Sequence, residues 1–416
     1  MSDDTAAAFS LLNAAAVRAR AERMLALGLG DKLPSLRVDL SRLDEVAALV
    51  AATTRKNYPS LEVPFHSRWR HFVPFGNDLY RIVAKDFGGD RRARARMAFD
   101  LAVISVLLDA GAGPQWRYRD PVSGGEFFRS EGLALASFAM FIGGDFSSAM
   151  GIAHDPADKL RADGTALAAL SVETLRQGFQ VTERNTLVGV EGRAELLRSL
   201  GRLVLAHPEV FGREDAPRPG GLFDHLAAKA DNGTIPAPLI LSELLRHFGP
   251  IWPSRITLGG VPLGDCWRHP AMATDDATSE LVPLHKLSQW LTYSLIEPLQ
   301  EAGFTVTDID GLTGLAEYRN GGLFVDTGVL TLRDPQAGTR AHEVGSPLIV
   351  EWRALTVALL DRLAPAVRAK LNKDAAQMPL AKILQGGTWA VGRELAFARR
   401  ADGGPPIKVI SDGTVF

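Results

Sequence analysis

Long segments with apolar residues at helical spacing run through most of this chain and limit the folds open to it. Short breaks containing Gly or Pro separate them, and few stretches alternate apolar and polar residues as half-buried strands do. The predicted helical segments are Ala6–Leu29, Leu43–Thr54, Arg91–Leu108, Ser130–Ile142, Leu160–Phe211 with a break at 182–189, Phe223–Phe248, Leu284–Ala302 and Leu348–Leu371. The short strand candidates are Gln115–Asp120, Ile256–Leu263 and Ile407–Phe416. Long helices joined by short loops predict a mainly α fold with a few short strands.

The composition is that of an ordinary globular protein. Of the 416 residues, 46% are hydrophobic and 23% are charged, which indicates neither disorder nor a fibrous class. This length suits one large helical domain, which we expect to consist of two packed lobes. The lobes are predicted at about 1–150 and 151–416, with the chemistry in the second.

Charge and cysteine content narrow the function classes. A net charge of −2 gives no reason to expect a nucleic-acid polymer as partner, because such partners require a basic face. Cys266 is the only cysteine, which argues against a disulfide framework or a multi-thiolate zinc site and favours a reducing compartment. The sequence has no apolar run of about 18 residues, and its start, Ser2-Asp3-Asp4, is acidic. We therefore expect a cytoplasmic protein without a membrane span.

The segment Thr305–Phe324 holds the most informative group of side chains. Asp308 and Asp310 precede a Gly-Leu-Thr-Gly-Leu sequence that predicts a hairpin, and Glu317 follows in the first turns of the next predicted helix. A helix N-terminus favours negative charge, so the Glu317 carboxylate is expected to be ionised. An ionised carboxylate suits cleavage of a sugar–nitrogen bond, whose transition state carries positive charge on the sugar. The alternative is a capping carboxylate next to a surface Tyr-Arg pair.

The chain resembles a known family at this segment. Leu312–Leu323 (LTGLAEYRNGGL) is similar to the signature of the uracil catabolism protein 4 family, and the likeness extends to His66–His71 (HSRWRH) and Arg129–Leu133 (RSEGL). That family is associated with a pathway in which ribosylurea must be split into urea and a ribose. The resemblance implies cleavage of an N-glycosidic bond in ribosylurea or its 5′-phosphate.

A more distant resemblance points to the same chemistry. The queuosine-salvage nucleotide glycosylases, whose fold is related to helix-hairpin-helix DNA glycosylases, carry Lys-Arg-Ala-Gln, then Leu-Thr-Met-Phe-Ala-Asp-Tyr-Arg, then Val-Glu-Ile-Arg-Ala. This chain has His285–Gln289 (HKLSQ), Leu312–Arg319 (LTGLAEYR) and Val350–Ala354 (VEWRA) in the same order. The likeness implies a helix-hairpin-helix DNA-glycosylase-like fold. It implies that Glu317, one methylene longer than the Asp of that family, is the catalytic carboxylate.

Two further residues are predicted to assist Glu317. The same likeness, with a one-residue gap, matches Lys286 to an important site lysine that could neutralise a phosphate or help the leaving group. Asp310 is the second candidate assistant.

Other side chains are candidates for substrate binding. An Arg fork can grip a planar urea or a phosphate, and Glu131 could bind ribose hydroxyls. The alternatives are an edge strand with a solvated charged face around residue 117, a helix-stabilising charge at Glu131, and core packing of Trp267. The candidates are Trp116, Arg117, Arg119, Glu131, Trp267, Tyr318, Arg319 and Glu351.

The sequence indicates no cofactor. His66 and His71 lie in a loop rich in polar groups, but their spacing is not a strong metal signature, so we predict no metal. Phosphate-loop and dinucleotide-binding patterns are absent from convincing settings.

We expect a hydrolase of a small nucleoside- or nucleotide-derived substrate. Two alternatives stay open: a metal-assisted amidohydrolase that uses His66 and His71 to cut the urea group, and a non-catalytic nucleoside-binding protein of the same pathway.

Overall fold

The structure, a computed structural model, describes residues 2–149, 160–212, 216–252 and 256–410. Helices account for most of these residues. The helices are α1 Asp3–Ser10, α2 Ala14–Leu29, α3 Leu43–Asn57, α4 Leu79–Val83, α5 Arg91–Leu107, α6 Arg129–Gly143, α7 Gly164–Ala168, α8 Val172–Gly178, α9 Val190–Ala206, α10 Pro208–Phe211, α11 Gly221–Ala228, α12 Ala237–Phe248, α13 Lys286–Glu301, α14 Tyr318–Asp326, α15 Pro347–Leu371, α16 Leu380–Ile383 and α17 Trp389–Arg399.

The strands are short. They are β1 Leu36–Val38, β2 Tyr118–Arg119, β3 Glu126–Phe127, β4 Thr234–Pro236, β5 Thr257–Leu258, β6 Val261–Pro262, β7 Cys266–Arg268, β8 Leu281–Pro283, β9 Thr305–Thr307, β10 Leu330–Leu332, β11 Ala341–Glu343 and β12 Lys408–Ile410. Across the four described ranges they pair only in twos: β1–β10, β2–β3, β5–β6 and β7–β8 antiparallel, β4–β9 and β11–β12 parallel. Each predicted strand segment contains at least one of them, although 411–416 of the third segment lie outside the described residues.

The mainly α fold with a few short strands is confirmed. Its relation to helix-hairpin-helix DNA glycosylases stays a prediction. The segment predicted as helical over Leu160–Phe211 forms four separate helices, α7 to α10, and the predicted break at 182–189 lies between α8 and α9. None of the helices in the described ranges combines the length and apolar character that crossing a lipid bilayer requires.

Two compact units make up the described chain, and each is assembled from separate stretches of sequence. The first takes the described residues of Met1–His66, Ser254–Gln289 and Asp308–Ile410, and the second those of Ser67–Pro253 and Trp290–Thr307. Helix α13 therefore contributes its first four residues to the first unit and the rest to the second. The division into lobes at about residue 150 stays a prediction.

In the first unit, α15 forms the centre of the core. Every residue from Leu348 to Leu360 is buried, as expected for a helix that is apolar on all sides, and α15 packs against α2, α3 and α14. The run nevertheless includes Glu351 and Arg353. A buried charge requires a partner, so these two side chains determine which loops can lie beside this helix.

The second unit is built around α5, which packs against α6 and α11. The Arg193 guanidinium from α9 is buried at the C-terminal end of α5. There it donates hydrogen bonds to the carbonyl groups of Leu108, Ala110 and Gly111. A cation at this position satisfies carbonyl groups that the end of the helix leaves unpaired.

Helices α14 and α17 touch through backbone atoms. A Cβ at Gly392 on α17 would overlap the carbonyl oxygen of Arg319 on α14. The two helices can lie this close together only because residue 392 is a glycine and has no Cβ.

We expect Gly392→Ala to lower the free energy of unfolding by about 1–3 kcal/mol, because the overlapped atom belongs to the backbone and cannot rotate away. Urea denaturation followed by circular dichroism measures the change. Gly143→Ala is the control, since the nearest atom to the added carbon is a flexible Asp145 oxygen 3.8 Å away. Equal midpoints for the two variants would contradict the close contact.

Candidate active site

The segment that precedes Glu317 is held in place by side chains from two other helices of the first unit. The Arg18 guanidinium, from α2, donates to the carbonyl oxygens of Asp310 (3.0 Å) and Leu312 (2.7 Å). Gln289, from α13, exchanges two hydrogen bonds with Thr313. The predicted hairpin is wrong: residues 312–317 form no strand, because their polar groups bond to these side chains and not to a second strand.

Glu317 is the N-cap residue of α14. Its Oε2 accepts from the Arg319 N–H at 2.7 Å, and its Oε1 accepts from the Asn320 N–H at 2.5 Å. The residue is only 8% exposed. Glu317 is thus a capping carboxylate, and its side chain is fixed in direction by its own helix.

The expectation that this carboxylate is held ionised by the helix is only partly met. Burial raises the pKa of Glu317 above its usual value of 4.5, and this effect outweighs the two backbone hydrogen bonds and the positive charges of Lys286 and Arg319, which act in the opposite direction. A carboxyl group with a raised pKa in a buried site is better suited to proton transfer than an ordinary surface glutamate.

Asp265, which is not among the predicted site residues, joins three of the surrounding elements. Its oxygens accept two hydrogen bonds of 2.8 Å from the guanidinium of Arg353 on α15. They also accept from the Trp267 indole N–H at 2.7 Å and from the Lys286 N–H at 2.9 Å, at the start of α13. The Arg353 Nε donates to the Ala316 carbonyl oxygen at 3.2 Å. One carboxylate therefore positions Lys286 and Trp267 beside the residue that precedes Glu317.

Asp265 is ionised. Burial alone would raise its pKa, but the Arg353 guanidinium and the hydrogen bonds from Lys286 and Trp267 hold the pKa well below its usual range. The residue before Lys286, His285, has a positive φ of 47° and a buried ring that bonds to the Leu11 carbonyl oxygen at 3.0 Å. This unusual backbone conformation turns the chain sharply into α13 directly at the candidate site.

The other residues predicted near Glu317 have defined positions. Arg319 is buried, donates to the Gly403 carbonyl oxygen at 2.8 Å and stacks over the Tyr318 ring at 4.9 Å. The alternative of a surface Tyr-Arg pair is therefore wrong. The Asp310 carboxylate accepts from the Leu380 N–H at 2.6 Å and pairs with Arg368.

Glu351 lies fully inside the first unit. One oxygen contacts the His269 Nε2 at 3.2 Å, and the other accepts from the Leu36 N–H at 3.1 Å. The structure thus gives Glu351 the task of fixing β1 to α15. Its role in substrate binding stays a prediction.

Four of the predicted binding residues belong to the second unit. Trp116 is fully buried, and its indole N–H donates to the Phe179 carbonyl oxygen at 2.9 Å. Arg117 donates to two nearby carbonyl oxygens and stacks over the Phe128 ring at 5.3 Å. Arg119 is exposed on β2, and Glu131 is half-buried on α6. Their roles in substrate binding stay predictions.

The imidazoles of the proposed metal alternative have other contacts. The His66 Nδ1 lies 2.9 Å from the Gln385 Oε1, and the His71 ring meets the Trp290 ring edge to face at 5.8 Å. Among the described residues, the group of three or more side chains able to hold a metal ion does not include either histidine.

We expect Arg353→Met to lower the free energy of unfolding by about 3 kcal/mol, because it leaves the Asp265 carboxylate without its counter-charge. The side chain of Asp265 is 13% exposed and that of Arg353 only 1%. Urea denaturation measures the loss. Arg340→Met removes a matched pair with Asp334 whose side chains are 63% and 57% exposed, and should change stability by less than about 1 kcal/mol. Similar losses in both variants would rule out the buried pair as a stabilising contact.

Comparison with known proteins gives the family. The model of a family described as protein of unknown function (DUF1688) matches residues 10–416. Uracil catabolism protein 4 of Lachancea kluyveri is 39% identical over 414 residues, which cover 91% of this chain and 92% of the relative. Protein urg3 of Schizosaccharomyces pombe is 40% identical over 427 residues, which cover both chains completely. The chain belongs to the DUF1688 family, and its near-full-length identity to these two relatives confirms the predicted membership of the uracil catabolism protein 4 family.

Proposed function

We propose that this protein acts in uracil catabolism by hydrolysing the ribosyl–nitrogen bond of ribosylurea or of its 5′-phosphate. The observation that carries the proposal is the Glu317 carboxylate, fixed by two backbone N–H groups in a buried site that also holds Lys286. In the reaction the bond between the anomeric carbon and nitrogen breaks. A bond to the oxygen of water forms, and the proton lost by the water ends on the urea nitrogen.

The geometry of Glu317 suits the first half of this reaction. A carboxylate has about four lone-pair positions, and the two backbone hydrogen bonds use two of them. The remaining positions can face the positive charge that develops on the sugar and can orient the attacking water. Because the carboxylate is already fixed, it need not be reordered when the bond breaks.

Proton delivery is the second requirement. Urea leaves poorly as an anion, so protonation of its nitrogen should contribute on the order of 10²–10⁴ in rate. The half-buried Lys286 is the candidate for this role, because its charge already acts on Glu317. If the substrate carries a 5′-phosphate, the Lys286 ammonium group can also serve as its counter-charge.

The relatives support the pathway. One is named for uracil catabolism, and the identity extends over nearly the whole of both chains. Of the two alternatives, the amidohydrolase that uses His66 and His71 has no support from their contacts. The non-catalytic binding protein is distinguished by experiment.

The central test compares two capping carboxylates. We expect Glu317→Gln to release urea from ribosylurea at least about 10²-fold more slowly than the unaltered protein, because the charge opposite the transition state is lost. Asp90 likewise accepts two backbone N–H groups at the start of α5, at 3.0 and 2.9 Å, but is exposed. Asp90→Asn should leave turnover unchanged and change stability by less than about 1 kcal/mol, because Asn caps a helix as well as Asp does.

Glu317→Asp separates catalysis from folding, because Asp is a good N-cap and keeps the charge. Melting curves of each variant show whether the fold is retained. Unchanged urea release by a folded Glu317→Gln would exclude Glu317 as the catalytic carboxylate. Binding of ribosylurea without its consumption by the unaltered protein would support the binding-protein alternative.

The pH profile gives an independent test. If the ionised form of Glu317 acts, kcat/KM rises as the pH passes through its pKa, which burial raises above 4.5. The positive charge of Lys286 lowers the pKa of Glu317. In Lys286→Met the acid limb of the profile, where kcat/KM rises with pH, should therefore move to higher pH, in addition to any loss of rate. An acid limb that stays in place or moves to lower pH would contradict the coupling of these two groups.

A further inference from the structure

A second group of chemically active side chains lies in the second unit. His225 is on α11, and Glu243 and His247 are on α12. Residues four apart on a helix share a face, so Glu243 and His247 project together, and α11 supplies the third member from the side. In the described part of the chain, this is the group whose donor atoms lie close enough to hold a metal ion, all within 4.8 Å of one another.

The two imidazoles converge on one carboxylate oxygen. The His225 Nε2 lies 2.6 Å from the Glu243 Oε2, and the His247 Nε2 lies 3.2 Å from the same atom. The rings are nearly perpendicular, with centroids 4.9 Å apart. Around a tetrahedral Zn²⁺ with bonds of about 2.0–2.2 Å, donor atoms lie roughly 3.3 Å apart. The two imidazole-to-carboxylate separations therefore need to open by less than about 1 Å for an ion to enter.

The surroundings of these three side chains suit a bound metal ion that solvent can reach. Glu243 is 4% exposed, whereas the two imidazoles keep about a fifth of their surface, which leaves an approach from solvent. The Phe211 ring forms an apolar wall against His247, with centroids 6.4 Å apart. Lys229 is a competing cation: its Nζ lies 3.5 Å from the other Glu243 oxygen, but its side chain is 38% exposed and able to move away.

We propose that His225, Glu243 and His247 form a binding site for a divalent transition-metal ion, with Zn²⁺ as the natural occupant. Two neutral imidazoles and one carboxylate are a donor set that Zn²⁺ accepts, and three protein ligands leave the fourth position for water or another small ligand. The site uses none of the residues proposed for ribosylurea cleavage. It differs from the alternative that uses His66 and His71.

Metal titration tests the site in the full-length protein. After treatment with a chelator and dialysis, isothermal titration with Zn²⁺ should show one ion bound per chain. Substitution by Co²⁺ should give the visible absorption of a tetrahedral ion, which reports nitrogen and oxygen ligands without any activity assay. Zn²⁺ should also raise the melting temperature, since an ion that binds only the folded state stabilises it.

Matched variants assign the ligands. We expect His247→Asn and His225→Asn each to weaken Zn²⁺ binding at least 100-fold, because even loss of an outer-shell partner costs about 10–100-fold. His207→Asn is the control: His207 pairs with Glu209 at 3.0 Å, but both side chains are about half exposed. It should bind Zn²⁺ as tightly as the unaltered protein.

Three results would overturn the proposal. They are the absence of stoichiometric Zn²⁺ binding and of a Co²⁺ spectrum in the unaltered protein, binding that is unchanged in folded His225→Asn and His247→Asn, and an equal loss in His207→Asn. The first result would leave a His–Glu–His hydrogen-bonded group without a metal. Urea release is measured in a separate assay, so none of these results decides whether the protein hydrolyses ribosylurea.

Discussion

The ion pair between Asp265 and Arg353 is the contact on which the candidate site depends. Every residue of α15 from Leu348 to Leu360 is buried, so the Arg353 guanidinium requires a counter-charge there. Asp265 supplies that charge and accepts from the indole of Trp267 and the backbone of Lys286 with the same two oxygens. The requirement of one buried cation thus fixes where β7 and the start of α13 lie.

The same pair connects the core to the segment that precedes Glu317. The remaining Arg353 nitrogen, Nε, holds the Ala316 carbonyl oxygen, one residue before Glu317. From the other side, Arg18 holds the carbonyl groups of Asp310 and Leu312. The segment before Glu317 forms no strand, but hydrogen bonds from buried or half-buried side chains to its carbonyl groups hold it in place.

Local sequence signals predicted the helices well and the contacts between them poorly. The segment Leu348–Leu371 differs from the helix Pro347–Leu371 by one residue, because apolar periodicity and helix ends depend on neighbouring residues. The hairpin before Glu317 failed because Gln289, Arg18 and Arg353 satisfy that backbone from distant positions. No local pattern encodes such pairings.

For the candidate site, the sequence indicated which residues to consider, but not how deeply they are buried or which groups they contact. The order of motifs singled out Glu317 and Lys286. The expected helix is present but begins at Tyr318, so Glu317 is its N-cap residue and not part of its first turns. A usable signal for Asp265 was also present: Arg353 interrupts an apolar helix, and such a charge demands an acidic partner. The burial that raises the pKa of Glu317 could not be predicted, because it depends on every element packed around α14.

The two carboxyl groups of this site differ in what they can do. Burial acts on both, but Asp265 faces a guanidinium in a two-pronged contact that keeps it charged, whereas Glu317 receives only backbone N–H groups and the less direct charges of Lys286 and Arg319. A carboxyl group whose pKa lies well below its usual range stays ionised near neutral pH. It cannot exchange protons there and serves as a fixed negative charge. A carboxyl whose pKa is raised can change its protonation state during a reaction cycle. When environments separate two acids in this way, their roles in catalysis separate as well. Under the proposed function, this difference suits Asp265 to positioning and Glu317 to the chemical step.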